Sequence, residues 1–276
     1  MTTEHTLSTQ QMSLAYDDRT VVHDLDLHVP PGRISVVVGA NACGKSTVLR
    51  GLARLAKPTT GVVLLDGRSI HQTPTREVAR TLGLLPQSPV APEGITVADL
   101  VGRGRYPHQG WLRRWTGEDD QIVARAMTAT GTLDLADRPV DELSGGQRQR
   151  AWIAMALAQQ TDLLLLDEPT TFLDVAHQVE VLDLLTDLNR THGTTVVIVL
   201  HDLNLAARYA DHLVAMRAGL IVAEGVPSQV VTEELVQQVF DMPSRVLTDP
   251  VSGTPLVVPV GRHHAGPAAA LAGVSA

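Results

Sequence analysis

The chain has 276 residues, 44% of them apolar, with a formal net charge of −8 and a single cysteine, Cys43. That length suits one α/β domain carrying a subdomain better than two independent domains. The acidic balance argues against a nucleic-acid coat and offers no polybasic patch for anionic lipid, and one cysteine excludes an internal disulfide or a cysteine-built metal cage.

No apolar run nears the roughly 18 residues of a membrane span. Met1-Thr2-Thr3-Glu4-His5 lacks the basic and apolar regions of a signal peptide, so a soluble, cytoplasmic chain is expected. Residues 24–29 alternate apolar and polar side chains, as an antiparallel strand with one wet face does. After a turn at Pro30-Pro31-Gly32, the apolar run 34–38 leads through Gly39-Ala40-Asn41-Ala42-Cys43-Gly44-Lys45-Ser46-Thr47 into a helical pattern at 48–52. A buried strand that turns through flanking glycines into a helix is the setting in which G-x-x-x-x-G-K-[ST] reads as a nucleotide-binding P-loop. Successive backbone N–H groups would wrap a triphosphate of ATP or GTP, Lys45 would reach its β/γ-phosphates, and the Ser46 hydroxyl would coordinate Mg²⁺. Cys43 reads as a small loop filler rather than a redox switch, although a helix N-terminus can lower a thiol pKa.

Residues 61–65 form another short strand ending in the turn Asp66-Gly67. From about 96 to 158 the β signal fades and helical patterns take over at 119–129 and 147–158, which predicts a helical subdomain inserted into the sheet domain. Fully apolar strands return at 163–166 and 195–200, separated by an amphipathic helix at 175–190, an order that predicts a parallel sheet covered on both faces. Strands at 213–216 and 220–223 join across Ala218-Gly219, a helix follows at 232–240, and 243–260 holds a small hairpin. The Ala-, Gly-, His- and Pro-rich stretch 261–276 is expected to be a disordered tail.

Leu163-Leu164-Leu165-Leu166-Asp167-Glu168 puts two acids at the end of a buried strand, where open α/β sheets bind their ligands. Asp167 would hold the Mg²⁺ shell, mostly through water, and Glu168 would polarise the attacking water as general base.

Leu143-Ser144-Gly145-Gly146-Gln147, taken with Gln87, Asp174 and His201, resembles the signature set of the ATP-binding-cassette ATPase family over residues 8–260. The resemblance implies an α/β P-loop NTPase fold of the ABC ATPase type: a mixed sheet core, an antiparallel β subdomain and a helical subdomain inserted at about 96–158. It also implies that the Ser144 hydroxyl, the N–H groups of Gly145 and Gly146, Gln147 and the dipole of the helix at 148–158 face the γ-phosphate of ATP held by a second copy of the chain. Two copies would then sandwich two ATPs head-to-tail, and a lone copy would be nearly inactive. Tyr16 looks like the aromatic that stacks on adenine. Gln87 resembles the glutamine that touches Mg²⁺ and the attacking water, His201 the switch histidine that contacts the γ-phosphate and orients Glu168, and Asp174 the aspartate that speaks across the dimer. Ala40 and Ala42 stand where many cassettes have proline and glycine, and Phe172 is unusual in its loop.

Gly102-Arg103-Gly104-Arg105-Tyr106-Pro107-His108-Gln109 with Trp111, Arg113, Arg114 and Trp115 looks like the helical-subdomain segment of ferric-siderophore importer ATPases, and residues 151–156 and 249–256 point the same way. This implies a cassette on the cytoplasmic face of the cell membrane, gripping a permease through the Arg/Trp segment and Gln87, with an extracytoplasmic siderophore-binding protein delivering cargo. Heme and vitamin B12 importers share much of the pattern, and a permease-free cassette of the iron–sulfur assembly type shares the catalytic set. Cassettes that work on nucleic acid carry tandem units or a coiled-coil insertion; this chain has one signature and no heptad run.

Overall fold

The computed structural model describes residues 5–109 and 115–263. Its elements begin with β1 (Leu7–Tyr16), β2 (Arg19–Val29), β3 (Ile34–Gly39), α1 (Lys45–Leu52), β4 (Thr60–Leu65), β5 (Arg68–Ser69), α2 (Thr75–Thr81), β6 (Leu82–Leu85) and α3 (Val97–Gly102). After a 3₁₀ segment at Arg103–His108 come α4 (Gly117–Ala129), α5 (Gly145–Ala158), β7 (Leu163–Asp167), α6 (Val175–His192), β8 (Thr195–Val199) and α7 (Leu203–Tyr209). The described chain closes with β9 (His212–Arg217), β10 (Leu220–Gly225), α8 (Pro227–Val230), α9 (Glu233–Phe240), β11 (Ser244–Thr248) and β12 (Pro255–Pro259).

The central sheet has six strands in the order β10-β9-β3-β8-β7-β6, parallel throughout except for β10, which returns antiparallel along β9. Every residue of β3, β7 and β8 is buried, which is why these strands read as unbroken apolar runs. The period of two sends alternate side chains to two different cores. Val36, Leu164 and Leu166 face the core shared with α3–α6, whereas Val37, Leu163 and Leu165 face the core shared with α1 and the antiparallel sheet. That second sheet runs β2-β1-β4-β5, and α1 packs against it so closely that a Cβ on Gly51 would come within 2.8 Å of Leu14.

Between β6 and β7 the described elements are all helical. Arg105 does not join a solvated or permease-facing cluster there: it is 3% exposed, its Nε donates to Asp119 Oδ1 at 2.9 Å and its Nη1 to the Ala158 carbonyl at 2.8 Å. Burial alone would raise the Asp119 pKa, but Arg105 and the Thr116 hydroxyl and N–H hold that carboxyl below its ordinary range. Tyr106 stays exposed, and Trp115 donates its indole N–H to Asp120 at 2.6 Å. Trp111, Arg113 and Arg114 lie outside the described residues, as do residues 264–276 of the tail. Among the described residues no helix is long and apolar enough to cross a membrane.

Candidate active site

The C-terminal ends of β3, β7 and β8 and the loop after β6 converge on one cleft of about 1010 Å³, whose lining includes Tyr16, residues 41–47, Gln87, Glu168 and His201. At its floor β3 turns into α1. A Cβ on Gly39 would fall 2.3 Å from the Met216 carbonyl and 2.7 Å from Cys43 Sγ, so only glycine fits beneath the loop. Gly44 has φ +103° and enters α1 with no side-chain cap and no acidic residue in the first turn, leaving the first N–H groups and the positive dipole end open to an anion. Lys45 is buried, with Nζ donating to the carbonyls of Gly39 (2.9 Å) and Ala40 (3.0 Å), so its ammonium sits inside the loop. Cys43 is buried as well, and that burial pushes its thiol pKa up despite the Lys45 charge beside it. The thiol therefore fills space under Gly39 and is poorly suited to redox chemistry.

Ser46 Oγ donates to Asp167 Oδ1 at 2.8 Å, which ties the start of α1 to the end of β7. Burial raises the Asp167 pKa and the Glu168 charge adds to it, against the Ser46 hydrogen bond and the charges of Arg50 and Lys45. Serine hydroxyl, carboxylate and glutamine amide are hard oxygen donors of the kind Mg²⁺ takes. Among the described residues there is no cluster of three His, Cys, Asp or Glu able to hold a metal unaided.

Glu168 is 7% exposed and is gripped from two sides. Gln87 Nε2 donates to Oε2 at 2.6 Å, and His201 Nε2 lies 2.6 Å from Oε1. The Thr171 hydroxyl also donates to Oε2 at 3.4 Å, a contact no motif announces. Glu168 adopts φ +52°, a conformation costly for a residue with a side chain, and its N–H is fixed on the Val199 carbonyl at 3.2 Å. Tyr16 stands half-exposed at the cleft mouth, its hydroxyl accepting from Arg50 Nη1 at 3.2 Å. Asp17, Asp18, Arg19 and Val21 complete that rim and were invisible in the sequence, since a two-acid turn between strands carries no motif.

Ser144, Gly145, Gly146, Gln147 and Asp174 do not line this cleft. Ser144 caps α5, which begins at Gly145 rather than at 148: its Oγ accepts from Gln147 N (3.3 Å), and Gln147 Oε1 accepts from Ser144 N (3.1 Å). Cβ atoms built on Gly145 and Gly146 would lie 3.6 and 3.4 Å from Phe172 and Leu173, so the signature packs on the loop that leads into α6. Asp174 caps α6 through the His177 N–H at 3.0 Å, and that bond, with the His177 ring, lowers its pKa. A separate cavity of about 730 Å³ among α4, α5 and α6, lined by Ile122, Leu157 and Leu184, holds none of the predicted residues.

The model of the ABC transporter family matches residues 22–171, more than half of the chain. The chain belongs to the ABC transporter family. ATP binding and hydrolysis are the activity of that family's ATPases. Over 256 residues the cassette is 58% identical to the "Probable siderophore transport system ATP-binding protein YusV" of Bacillus subtilis (strain 168), covering 93% of each chain. It is 53% identical over 253 residues to the "Ferric enterobactin transport ATP-binding protein FepC" of Escherichia coli (strain K12), covering 92% of this chain and 93% of that one. Among solved structures, the dimeric structure of a bacterial ABC transporter cassette superposes with a TM-score of 0.73 at 25% identity, over 80% of this chain and 98% of that one.

Proposed function

We propose that this chain is the ATP-hydrolysing subunit of an importer that takes up ferric siderophores. The observation that carries the catalytic half is the Glu168 carboxylate held between Gln87 and His201, each at 2.6 Å, beside a buried P-loop lysine. In this reading residues 8–260 form the ATPase domain with the helical subdomain inserted at about 96–158. The residues 39–47 cradle the triphosphate, with Lys45 on the β/γ-phosphates and Tyr16 against adenine. Ser46, Asp167 and Gln87 would hold Mg²⁺, whose positive charge offsets that of the phosphate oxygens. Glu168 accepts the proton of the attacking water, and His201 and Gln87 keep its two oxygens aimed.

The exposed signature and Asp174 serve the ATP of a second copy in a head-to-tail dimer. That pair docks on the cytoplasmic side of a membrane permease, which an extracytoplasmic binding protein loads with cargo. The transport roles named for relatives 53–58% identical over most of the chain support ferric siderophores over heme or vitamin B12 and over a permease-free role. Uptake of radiolabelled iron, offered as a panel of ferric siderophores to cells lacking the chain, tests this. Selective loss, restored by the intact chain but not by Glu168→Gln, is expected; loss of heme or B12 uptake in place of siderophore uptake would overturn the cargo.

A further inference from the structure

Beyond the cleft, the segment that follows His201 carries polar contacts to which no step above assigns a use. Helix α7 has seven residues, well under the roughly 12–15 that an isolated helix needs to persist, so it depends on what it packs against. Its inner face, Leu203, Ala206 and Ala207, is buried in the core. Its outer face presents Asn204 and Arg208 one turn apart, and the β11–β12 hairpin takes both. Asn204 Nδ2 donates to the Val257 carbonyl at 3.2 Å while Val257 N–H donates to Asn204 Oδ1 at 2.7 Å, so the amide pairs with β12 as a neighbouring strand would. Arg208 pairs with Asp249, and the same carboxylate accepts from the Val251 N–H at 2.9 Å, which fixes the hairpin turn. At its other side the hairpin is tied to α9, where Glu233 accepts from Arg245 (3.2 Å) and from the Val246 N–H (3.3 Å).

His201 stands between two anchors. Upstream, the Leu200 N–H is fixed on the Val37 carbonyl at 3.2 Å; downstream, Asp202 caps the first turn of α7 through the N–H groups of Asn204 (2.8 Å) and Leu205 (2.9 Å). Between them a side chain 47% exposed has to reach Glu168 at 2.6 Å, and a hydrogen bond fades within a few tenths of an ångström of displacement. We infer that the β11–β12 hairpin is a positioning element for His201, acting through Asn204 and Arg208 on the first turn of α7. Releasing the Asn204 pairing lets that turn shift and carries the His201 ring off Glu168. The inference rests on the reading of His201 and Glu168 as partners in hydrolysis.

The test is steady-state ATP hydrolysis by the full chain, alongside equilibrium MgATP binding, for the wild type, Asn204→Ala, His201→Ala and the double variant. Asn204→Ala should lower kcat about tenfold, with KM for ATP held within about twofold. It should then lose nothing further in the His201→Ala background, because residues that act as one unit are not additive. Asn204→Asp, which still accepts from Val257 but no longer donates to it, and Arg208→Met, which releases Asp249, should give smaller losses under the same rule. A full additional loss in the His201→Ala background, or a rise in KM in step with the fall in kcat, would reduce the hairpin to a structural prop and overturn the inference. Unchanged kcat in Asn204→Ala beside an impaired His201→Ala would overturn the hairpin's role alone. Normal hydrolysis by His201→Ala would overturn the reading of His201 and the inference with it.

Discussion

The P-loop cleft and the signature face are built from the same parts, a glycine-bearing loop that opens a helix, and they end in opposite states. In the cleft the predicted groups meet one another within a single chain: Ser46 on Asp167, and Gln87 and His201 on Glu168. On the signature face Ser144 and Asp174 cap their own helices, and in front of them Phe172 and Val175 stand 78% and 75% exposed. Both regions hold a strained residue, Glu168 at φ +52° and Phe172 at φ +69°. At Glu168 the cleft's own hydrogen bonds explain why the strain persists; Phe172 sits against the signature's Gly145 and Gly146, within 3.6 and 3.9 Å of the positions their Cβ atoms would take. Under the proposed function, this locally capped surface, with its strained aromatic presented outward, is the face that a second copy meets. In the proposed head-to-tail pair, one region is a finished half-site and the other is its counterpart for another copy.

The largest effect should come from the finished half. Glu168→Gln keeps a group able to sit between Gln87 and His201 but removes the proton acceptor, so kcat should fall by about 10²–10⁴ while MgATP binding survives. An unchanged hydrolysis rate would take Glu168 out of the base role. Lys45→Ala, by contrast, should weaken binding itself, because the only buried ammonium in the loop is gone.

Mixing two dead variants separates the roles of the two regions. Ser144→Arg should leave MgATP binding to the isolated chain intact and abolish hydrolysis, since the lesion lies outside the cleft that the chain closes itself. Lys45→Ala chains are dead for the opposite reason. In a head-to-tail pair of one of each, one composite site carries both lesions and the other carries neither. Mixing them should therefore recover a fraction of wild-type hydrolysis that rises with total protein concentration. Persistent inactivity of the mixture would mean that each chain completes its own site, and the asymmetry between the two regions would need another explanation.

How much of this the sequence disclosed follows from where the physics is local. β3, β7 and β8 were readable because burial on both faces leaves an unbroken apolar run, and the P-loop and the Asp167-Glu168 pair because their chemistry dictates residue type and spacing. β1 carries no such signal: its register breaks between Thr9 and Met12, which leaves Gln10 and Gln11 exposed, and the alternation is lost. β6 has four residues including Gly83, too short for any period, and α7 shows only Leu203, Ala206 and Ala207 as an inner face. Arg105 looked like a surface charge because its partner Asp119 lies fourteen residues away, beyond the reach of helical spacing. The grip on Glu168 joins residues 87, 168 and 201 across three strand ends, and only a family resemblance could bring them together before the fold did.

The smallest effect concerns the finished half when it is empty. Burial raises the Asp167 pKa above that of the unfolded chain, so the folded state holds the proton more tightly. The stability this contributes is fully present below the unfolded value of about 3.9 and is lost as pH rises through the folded value, so at neutral pH the charged carboxylate burdens the fold. Asp167→Asn removes that charge and keeps an oxygen for the Ser46 hydroxyl. Its melting temperature without nucleotide should exceed that of the wild type at pH 7, and the gap should close as the pH is lowered and the wild-type carboxyl takes up its proton. The added stability from MgATP should shrink in the same variant, because the charge that costs stability in the empty cleft is the charge the proposed cation would answer. A lower melting temperature at pH 7 would show instead that Lys45 and Arg50 already compensate Asp167 fully, and that the cleft is electrostatically complete before any ligand arrives.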